Sequence, residues 1–123
     1  LMLTGKKIPF INENSNMKSA LKFISQKRLG VLVARNNKKV TTGIITDGQI
    51  RRKSEKKGNL QQLKVKDVMT KNPISINADE LAAKALSLMN SNRITFLCVH
   101  KKNKKNKTIG VIHVHNILEN NIQ

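Results

Sequence analysis

The sequence predicts an α/β (α+β) fold in which a strand, helix, strand, strand, helix unit occurs twice, and three observations support this prediction. A glycine followed by an apolar strand and a polar turn occurs at 43–52 and again at 110–118. A helix with one apolar face precedes each of these segments, at 17–24 and 82–89. A short apolar strand follows each helix. The two glycines lie 67 positions apart and the two helices 65, so we expect two extra residues before the second glycine.

The first copy starts with a strand at residues 8–11 and continues into a helix that we expect to end near Arg28. The apolar residues of this helix recur at helical spacing and therefore share one face: Met17, Ala20, Leu21 and Ile24. A polar residue just before them can cap the helix by accepting bonds from its free backbone amides: Asn14, Ser15 or Asn16. Gly30 is expected to end the helix, because glycine tolerates a positive φ.

An apolar hairpin and a basic helix complete the first copy. Residues 31–34 form a continuous apolar run, which predicts a buried strand, and residues 40–45 predict its antiparallel partner across a polar turn. Asp47 and Gly48 then open a helix of strongly basic composition. The free amides of its first turn are suited to an anion.

A linker at 59–70 separates the copies, so we assign residues 1–58 to the first repeat and 71–123 to the second. Pro73 prevents a helix from continuing through this point and favours an extended backbone at Asn72.

The second copy repeats the order of the first. Ile74 and Ile76 alternate as in a strand, and Asn77 with Glu80 resembles a capping box at the start of the next helix. The remaining predicted elements are two strands and a closing helix: 96–99, 109–114 and 115–120. Two such halves, stacked by their sheets, would bury strands that neither half covers alone.

The charge of the chain favours acidic partners, since 24 Lys and Arg face 7 Asp and Glu, for a formal +17. The lysines are scattered, however, and the run at 100–107 is interpreted as a solvated hairpin loop. Three Phe and no Tyr or Trp offer few surfaces on which bases could stack. We therefore do not expect nucleic acid as the partner, although a basic module that binds nucleic acid or another polyanion stays open as an alternative function.

The location predicted for the chain is cytoplasmic. Cys98 is the single cysteine, so no intrachain disulfide forms, and its apolar strand predicts a small buried hydrophobe. No apolar run reaches the ~20 residues of a membrane span, and no secretory signal is recognised at the start. The first residue is Leu, which suggests a cut or processed chain.

Four stretches of the sequence are similar to one protein family: GIITDGQIRR (43–52), LKVKDVMTKNP (63–73), ADELAA (78–83) and GVIHVHNIL (110–118). They resemble a tandem pair of cystathionine-beta-synthase (CBS) domains, of the type joined to the sugar isomerase domain of bacterial arabinose 5-phosphate isomerases. The resemblance covers essentially the whole chain. It implies two repeats packed sheet to sheet with pseudo-twofold symmetry, and a homodimer formed through the pair.

The resemblance also implies a regulatory region whose catalytic domain lies upstream. In the family that domain interconverts ribulose 5-phosphate and arabinose 5-phosphate, at the start of the route to the Kdo sugar of lipopolysaccharide. Isomerisation needs a base beside a bound sugar carbonyl, and the carboxylates of this chain have plainer uses. We therefore expect no catalysis from this chain and no required cofactor.

CBS pairs commonly bind adenosine nucleotides through a motif of Gly, two aliphatic residues, Thr or Ser, two variable positions and Asp. Thr46 matches the hydroxyl position, but Gln49 stands at the Asp position. In the second copy these positions hold His113 and Asn116. An amide lacks the charge that strengthens a bond to a ribose hydroxyl. The loss of two carboxylates favours a more anionic ligand, such as a sugar nucleotide or a sugar acid, over a simple adenosine nucleotide.

The residues predicted to line the ligand clefts are Thr46, Asp47, Gln49, Asn72, Pro73, Arg93, Ile94, Thr95, His113 and Asn116. A plainer interpretation stays open, in which Thr46 only caps a helix, the clefts are empty and the module is a structural dimerisation device. His113 and His115 are spaced as a metal pair, but a third ligand is not evident. We expect no metal, and His113 as a neutral hydrogen-bond donor.

Overall fold

The computed structural model describes four stretches of the chain: 3–80, 82–102, 104–115 and 118. They form two compact units. One unit runs from Pro9 to Pro73, and the other combines the described residues up to Ile8 with those from Ile74 onward. The described residues contain two sheets and four α-helices, so the predicted mixed α and β class is confirmed.

The elements follow one another in nearly the predicted order. In chain order they are β1 (Leu3–Thr4), β2 (Phe10–Asn12), α1 (Met17–Lys27), β3 (Val31–Arg35), β4 (Thr41–Thr46), α2 (Asp47–Lys57), α3 (Val65–Val68), β5 (Thr70–Lys71), β6 (Ser75–Asn77), α4 (Ala82–Asn92), β7 (Phe96–Lys101) and β8 (Lys104–His113). A short 3₁₀ helix follows β1. The predicted closing helix at 115–120 lies for the most part outside the described residues.

The two sheets have equivalent strand orders, β2-β3-β4-β5 in one unit and β6-β7-β8-β1 in the other. The first two strands of each sheet are parallel, and the remaining pairs are antiparallel. Thr70 pairs with Ile44, and Leu3 pairs with Val111. Val111 lies 67 positions after Ile44, whereas Leu3 lies 67 positions before Thr70, so the two pairings are equivalent. Leu3 and Thr4, which precede the first strand predicted from the sequence, therefore form an edge strand.

Each sheet packs against the apolar face of its own helix. Met17, Ala20 and Ile24 of α1 are buried, so the predicted face is confirmed, and Leu21 is half-buried at its border. Ala85 and Met89 occupy the same role on α4. Fully burying an aliphatic or Met side chain of this size contributes about 1.5–3 kcal/mol, so these faces fix each helix on its sheet.

The ends of α1 and α4 depend on capping and on a left-handed residue. Among the three predicted caps, Asn16 acts, since its Oδ1 accepts the Ser19 N–H at 2.8 Å. The prediction that Gly30 ends α1 was wrong, because Arg28 is already left-handed with φ 54. Arg93 has φ 55 directly after α4, so both copies turn at an arginine.

Two further local predictions were wrong. Asn72 is left-handed, with φ 50, and is not extended, although it does precede a proline. Asn77 does not begin a capping box, because it is the last residue of β6 and its Oδ1 accepts the Asp79 N–H at 3.1 Å. Glu80 instead forms a salt bridge with Lys84 at 3.2 Å, one turn along the helix.

The lysine-rich run at 100–107 lies at the end of a hairpin, as predicted, but most of its residues belong to strands and not to a loop. Strand β7 continues to Lys101 and β8 starts at Lys104. The described lysines Lys101, Lys102, Lys104 and Lys107 are exposed there.

Cys98 lies in β7 and is buried, as predicted. Burial raises the pKa of its thiol from 9.0 to about 11, although a hydrogen bond with Thr108 partly opposes this. Among the described residues, no helix combines the length and hydrophobicity that a membrane crossing needs.

Gly43→Ala should destabilise the Pro9–Pro73 unit by about 1–3 kcal/mol, because overpacking forces a rigid neighbour to move. A Cβ at this buried position would lie 2.9 Å from the Thr70 carbonyl oxygen and 2.7 Å from Met69 Cγ. Urea denaturation measures the effect. The matched control is Gly48→Ala, whose Cβ meets Arg52 Nη1 at 3.2 Å, the end of a flexible side chain. Glycine disfavours helices, so the control should gain up to about 1 kcal/mol. Equal losses in both variants would contradict the close approach at Gly43.

The Cys98 thiol should react with a disulfide reagent at pH 8 at least about 100 times more slowly in the native chain than in the unfolded chain, because little thiolate forms and access is blocked. The folded pKa exceeds the unfolded one, so the thiol contributes stability below pH 9.0 that is lost as the pH rises toward about 11. Denaturation at several pH values measures this slope, and Cys98→Ala should flatten it. Equal reaction rates in the two states would contradict the buried thiol.

Candidate functional site

The first candidate site is the junction of β4 and α2, where Thr46 is the N-cap of the helix. Thr46 Oγ1 accepts the Gln49 N–H at 3.3 Å, and Gln49 Oε1 accepts the Thr46 N–H at 2.8 Å. These reciprocal bonds form a capping box and satisfy two backbone donors at once. The interpretation of Thr46 as a helix cap is therefore confirmed.

Gln49 has a second partner, which lies on the neighbouring strand β5. Its Nε2 donates to Thr70 Oγ1 on β5. An amide both accepts and donates, whereas an ionised carboxylate only accepts. Gln49 thus joins the start of α2 to the edge of the sheet, which an aspartate could not do in the same way.

Thr46 and Arg52 offer groups that suit an anion at this junction. A threonine hydroxyl that accepts one bond still has its O–H to donate. The Arg52 guanidinium folds back over the first turn of α2, with Nη1 3.2 Å from the position that a Cβ on Gly48 would take. The same position lies 3.9 Å from Thr46 Oγ1. A cation, a hydroxyl and the positive end of a helix therefore lie together, beside the exposed Asp47.

Asn72 and Pro73 are farther along the sheet. The Asn72 N–H donates to the Thr42 carbonyl at 3.3 Å, and Thr42 lies four residues before Thr46 on β4. At the rise of a strand, four residues span about 13 Å. The structure therefore does not bring the backbone of these two residues together with Thr46.

The second candidate site is the corresponding junction after β8. The Val114 N–H donates to the Thr95 carbonyl at 2.8 Å, just as the Asp47 N–H donates to the Gly30 carbonyl at 3.1 Å. Thr95 and Arg93 are exposed, and Ile94 packs against the core of its unit. The structure thus brings residues 93–95 beside the end of β8. Asn116 lies outside the described residues.

The counterparts of residues 93–95 in the first copy are Arg28, Leu29 and Gly30, which were not among the site residues predicted from the sequence. They lie 65 positions earlier and stand beside the β4–α2 junction through the Gly30 carbonyl. The sequence could have identified them, because subtracting the 65-position offset between the two helices from 93–95 gives 28–30.

His113 is held by its neighbours. Its ring meets Phe96 edge-on at 4.6 Å between centroids, and His115 lies at the same centroid distance on a tilted plane. The His115 backbone N–H donates to His113 Nδ1 at 3.1 Å, which assigns the ring proton to Nε2. Among the described residues, no three His, Cys, Asp or Glu side chains are grouped as a metal site.

The sequence matches the CBS domain model twice, at residues 3–56 and 65–122. Arabinose 5-phosphate isomerase KdsD of Salmonella typhi is 36% identical over 118 residues, which cover 96% of this chain and 35% of that protein. KdsD of Escherichia coli (strain K12) is 34% identical with the same coverage. The chain therefore spans about a third of the length of these relatives.

Solved structures have the same fold. An uncharacterized conserved protein from Pyrococcus horikoshii gives a TM-score of 0.84 at 21% identity and covers 98% of this chain and 89% of its own. CBSX2, which is from Arabidopsis thaliana, was solved in complex with AMP. That complex gives a TM-score of 0.80 at 18% identity and covers 97% of this chain and 90% of its own.

Proposed function

The chain belongs to the CBS-domain family, and from this premise we propose that it is the non-catalytic regulatory CBS pair of an arabinose 5-phosphate isomerase. The observation that carries the proposal is the 36% identity with KdsD over nearly the whole chain. The remainder of such a protein would supply an upstream sugar isomerase domain. In this proposal the protein is cytoplasmic, acts on the route to Kdo and lipopolysaccharide, and assembles as a homodimer through its CBS pairs.

The ligand proposed for the pair is an anionic small molecule, which is a nucleotide, a sugar nucleotide or a sugar acid. The Thr46 hydroxyl, the Arg52 guanidinium and the start of α2 lie together and suit a phosphate or carboxylate group. The formal charge of +17 adds a long-range attraction for anions. The AMP complex of a CBS protein with this fold supports a nucleotide. The amide of Gln49 instead favours a ligand that needs no protein carboxylate to accept bonds from its hydroxyl groups.

The carboxylates in the described residues support a non-catalytic role. The Asp67 carboxylate accepts the Lys64 N–H at 2.9 Å, and Glu80 pairs with Lys84. Asp47, Glu55 and Asp79 are exposed, and Glu13 is half-buried. None of these groups is buried in a pocket, where a general base for sugar isomerisation would need to stand.

One observation favours a second candidate, a structural dimerisation module with empty clefts. Thr46 and Gln49 already satisfy each other, and Gln49 also reaches Thr70. These bonds already give both residues a role in the fold, so no ligand is needed to explain why they are present. The two candidates differ in one measurable property, which is whether a specific small molecule stabilises the chain.

A thermal-shift screen of the chain with AMP, ATP, CMP-Kdo and arabinose 5-phosphate, at low and high salt, tests the proposal. A ligand present at about 100 times its Kd should stabilise by about 2.7 kcal/mol and raise Tm by about 10 °C. A shift from one compound that persists at high salt is the expected result. Shifts from every polyanion alike, abolished by salt, would instead support a polyanion-binding module.

Two variants of Thr46 separate its capping role from ligand binding. Aspartate and serine are both good N-caps, so Thr46→Asp and Thr46→Ser should each keep the unliganded Tm within a few degrees. Thr46→Ser retains the hydroxyl and should retain the ligand shift. Thr46→Asp places a negative charge beside the anion and should abolish it. An undiminished ligand shift in Thr46→Asp would contradict the proposed site, and no shift with any compound in the parent chain would favour the structural module.

A further inference from the structure

A cavity in the Pro9–Pro73 unit lies at the opposite end of its sheet from Thr46. Its volume is about 250 Å³. It opens between the end of β2 and the turn that joins β3 to β4, and it is lined by Phe10, Ile11, Asn12, Arg35, Asn36, Asn37 and Lys39. No carboxylate is among these residues. The family motif and the candidate site described above do not include this cavity.

The turn that forms one wall is organised by Asn36. Asn36 Oδ1 accepts the backbone N–H groups of Lys38 at 2.9 Å and Val40 at 3.1 Å. The Asn36 N–H also donates to the Val40 carbonyl at 2.9 Å, which closes the hairpin. Lys39 stands in the left-handed region, with φ 63. The turn is therefore fixed by its own hydrogen bonds.

All three asparagine oxygens in the wall are already used. Asn36 Oδ1 accepts from the turn, and Asn12 Oδ1 accepts the Asn14 N–H at 2.8 Å. Asn37 Oδ1 accepts from Asn12 Nδ2 at 2.7 Å. Backbone donors fix the orientation of the first two amides, and the third follows from them. These bonds use both acceptor sites of Asn36 Oδ1 and one acceptor site each of Asn12 Oδ1 and Asn37 Oδ1, and the remaining amide N–H groups can donate to a ligand.

Two cations complete the wall. The Arg35 guanidinium lies over the Phe10 ring, 3.9 Å from its centroid, and this cation–π contact holds the side chain in place. Lys39 brings a second positive charge from the turn. Arginine, lysine and amide N–H groups are all donors, so the polar part of the cavity is matched to an acceptor with negative charge.

We propose that this cavity is a binding site for the phosphate or carboxylate group of a small metabolite. Arg35 and Lys39 hold the anionic group with charge-assisted bonds, the Asn36 and Asn37 amides add donors, and Phe10 with Ile11 contacts the rest of the molecule. The volume of about 250 Å³ is below the 300–1,000 Å³ typical of drug-sized ligands, which favours an occupant of about the size of a sugar phosphate. This inference is independent of the proposed function, because it uses none of the residues around Thr46.

NMR titration of the isotope-labelled chain locates the site. The probes are inorganic phosphate, a hexose phosphate and citrate, each at constant ionic strength. The expected result is a saturable shift of backbone signals at 36–40 and of the side-chain amide signals of Asn12, Asn36 and Asn37. Comparison of the probes shows whether phosphate or carboxylate is preferred. Shifts scattered over all lysine-rich segments, or no saturation, would overturn the proposal.

A matched pair of variants distinguishes binding in this cavity from nonspecific attraction of anions to the positively charged chain. Lys39→Asn removes the cation, so it should raise the Kd for the preferred probe about tenfold. Asparagine tolerates the left-handed backbone at this position, so the Tm should not fall. Lys38→Asn removes the same charge from the neighbouring residue outside the cavity and should change the Kd by less than about twofold. Arg35→Gln should also weaken binding. Equal effects of the Lys38 and Lys39 variants, or no effect of Lys39→Asn and Arg35→Gln, would overturn the proposal.

Discussion

The close approach of β5 to Gly43 is the contact on which the candidate site depends. A side chain at position 43 would meet the Thr70 carbonyl, so only glycine lets β5 pair with β4 at this register. That pairing places the Thr70 hydroxyl where Gln49 Nε2 can reach it. Gln49 in turn accepts the N–H of Thr46, and the Thr46 side chain caps the first turn of α2. The glycine that opens the repeated motif thus determines the position of the hydroxyl three residues later.

The sequence predicted those helices and strands in which apolar residues form a clear periodic or continuous pattern. The i, i+3, i+4 spacing of α1 and the apolar run of β3 each reflect a buried face, so the pattern and the structure agree. The edge strand β1 carries no such pattern, because two residues cannot show a period and its partner, Val111, lies far along the chain. Strand β1 is recognised as the counterpart of β5 only from the structure, in which its partner Val111 lies 67 positions after Ile44, the partner of β5.

Local rules failed where a longer-range bond or pairing decided the conformation. The proline rule favoured extended geometry at Asn72, but its N–H donates to Thr42 across the sheet, and asparagine tolerates the left-handed region. The lysine run suggested a loop because charge usually marks solvated turns. Strand β8 nevertheless extends to Lys104, because its pairing with β7 continues past the buried Thr108 and exposed lysines can remain in water. Similarly, the use of Gln49 could not be predicted, since its partner Thr70 is 21 residues away.

The two anion sites proposed for the Pro9–Pro73 unit arise by the same physical route. In each, an internal hydrogen bond uses the acceptor of a side chain and leaves donors facing outward beside a cation. At Thr46 the acceptor is the hydroxyl that caps α2, and at Asn36 it is the amide oxygen that closes a hairpin. Neither site depends on a carboxylate, which fits a chain with many more cations than anions.

The most direct test of the account follows the backbone amide signals of Gly48 and Gln49 by NMR while AMP or CMP-Kdo is added to the chain at high salt. We expect one of these compounds to shift both signals saturably, because its anionic group binds beside Thr46 and Arg52 at the first turn of α2. If the two signals stay in place while each compound reaches saturating concentration, the β4–α2 junction is a structural cap, and its proposed role in sensing an anion is wrong.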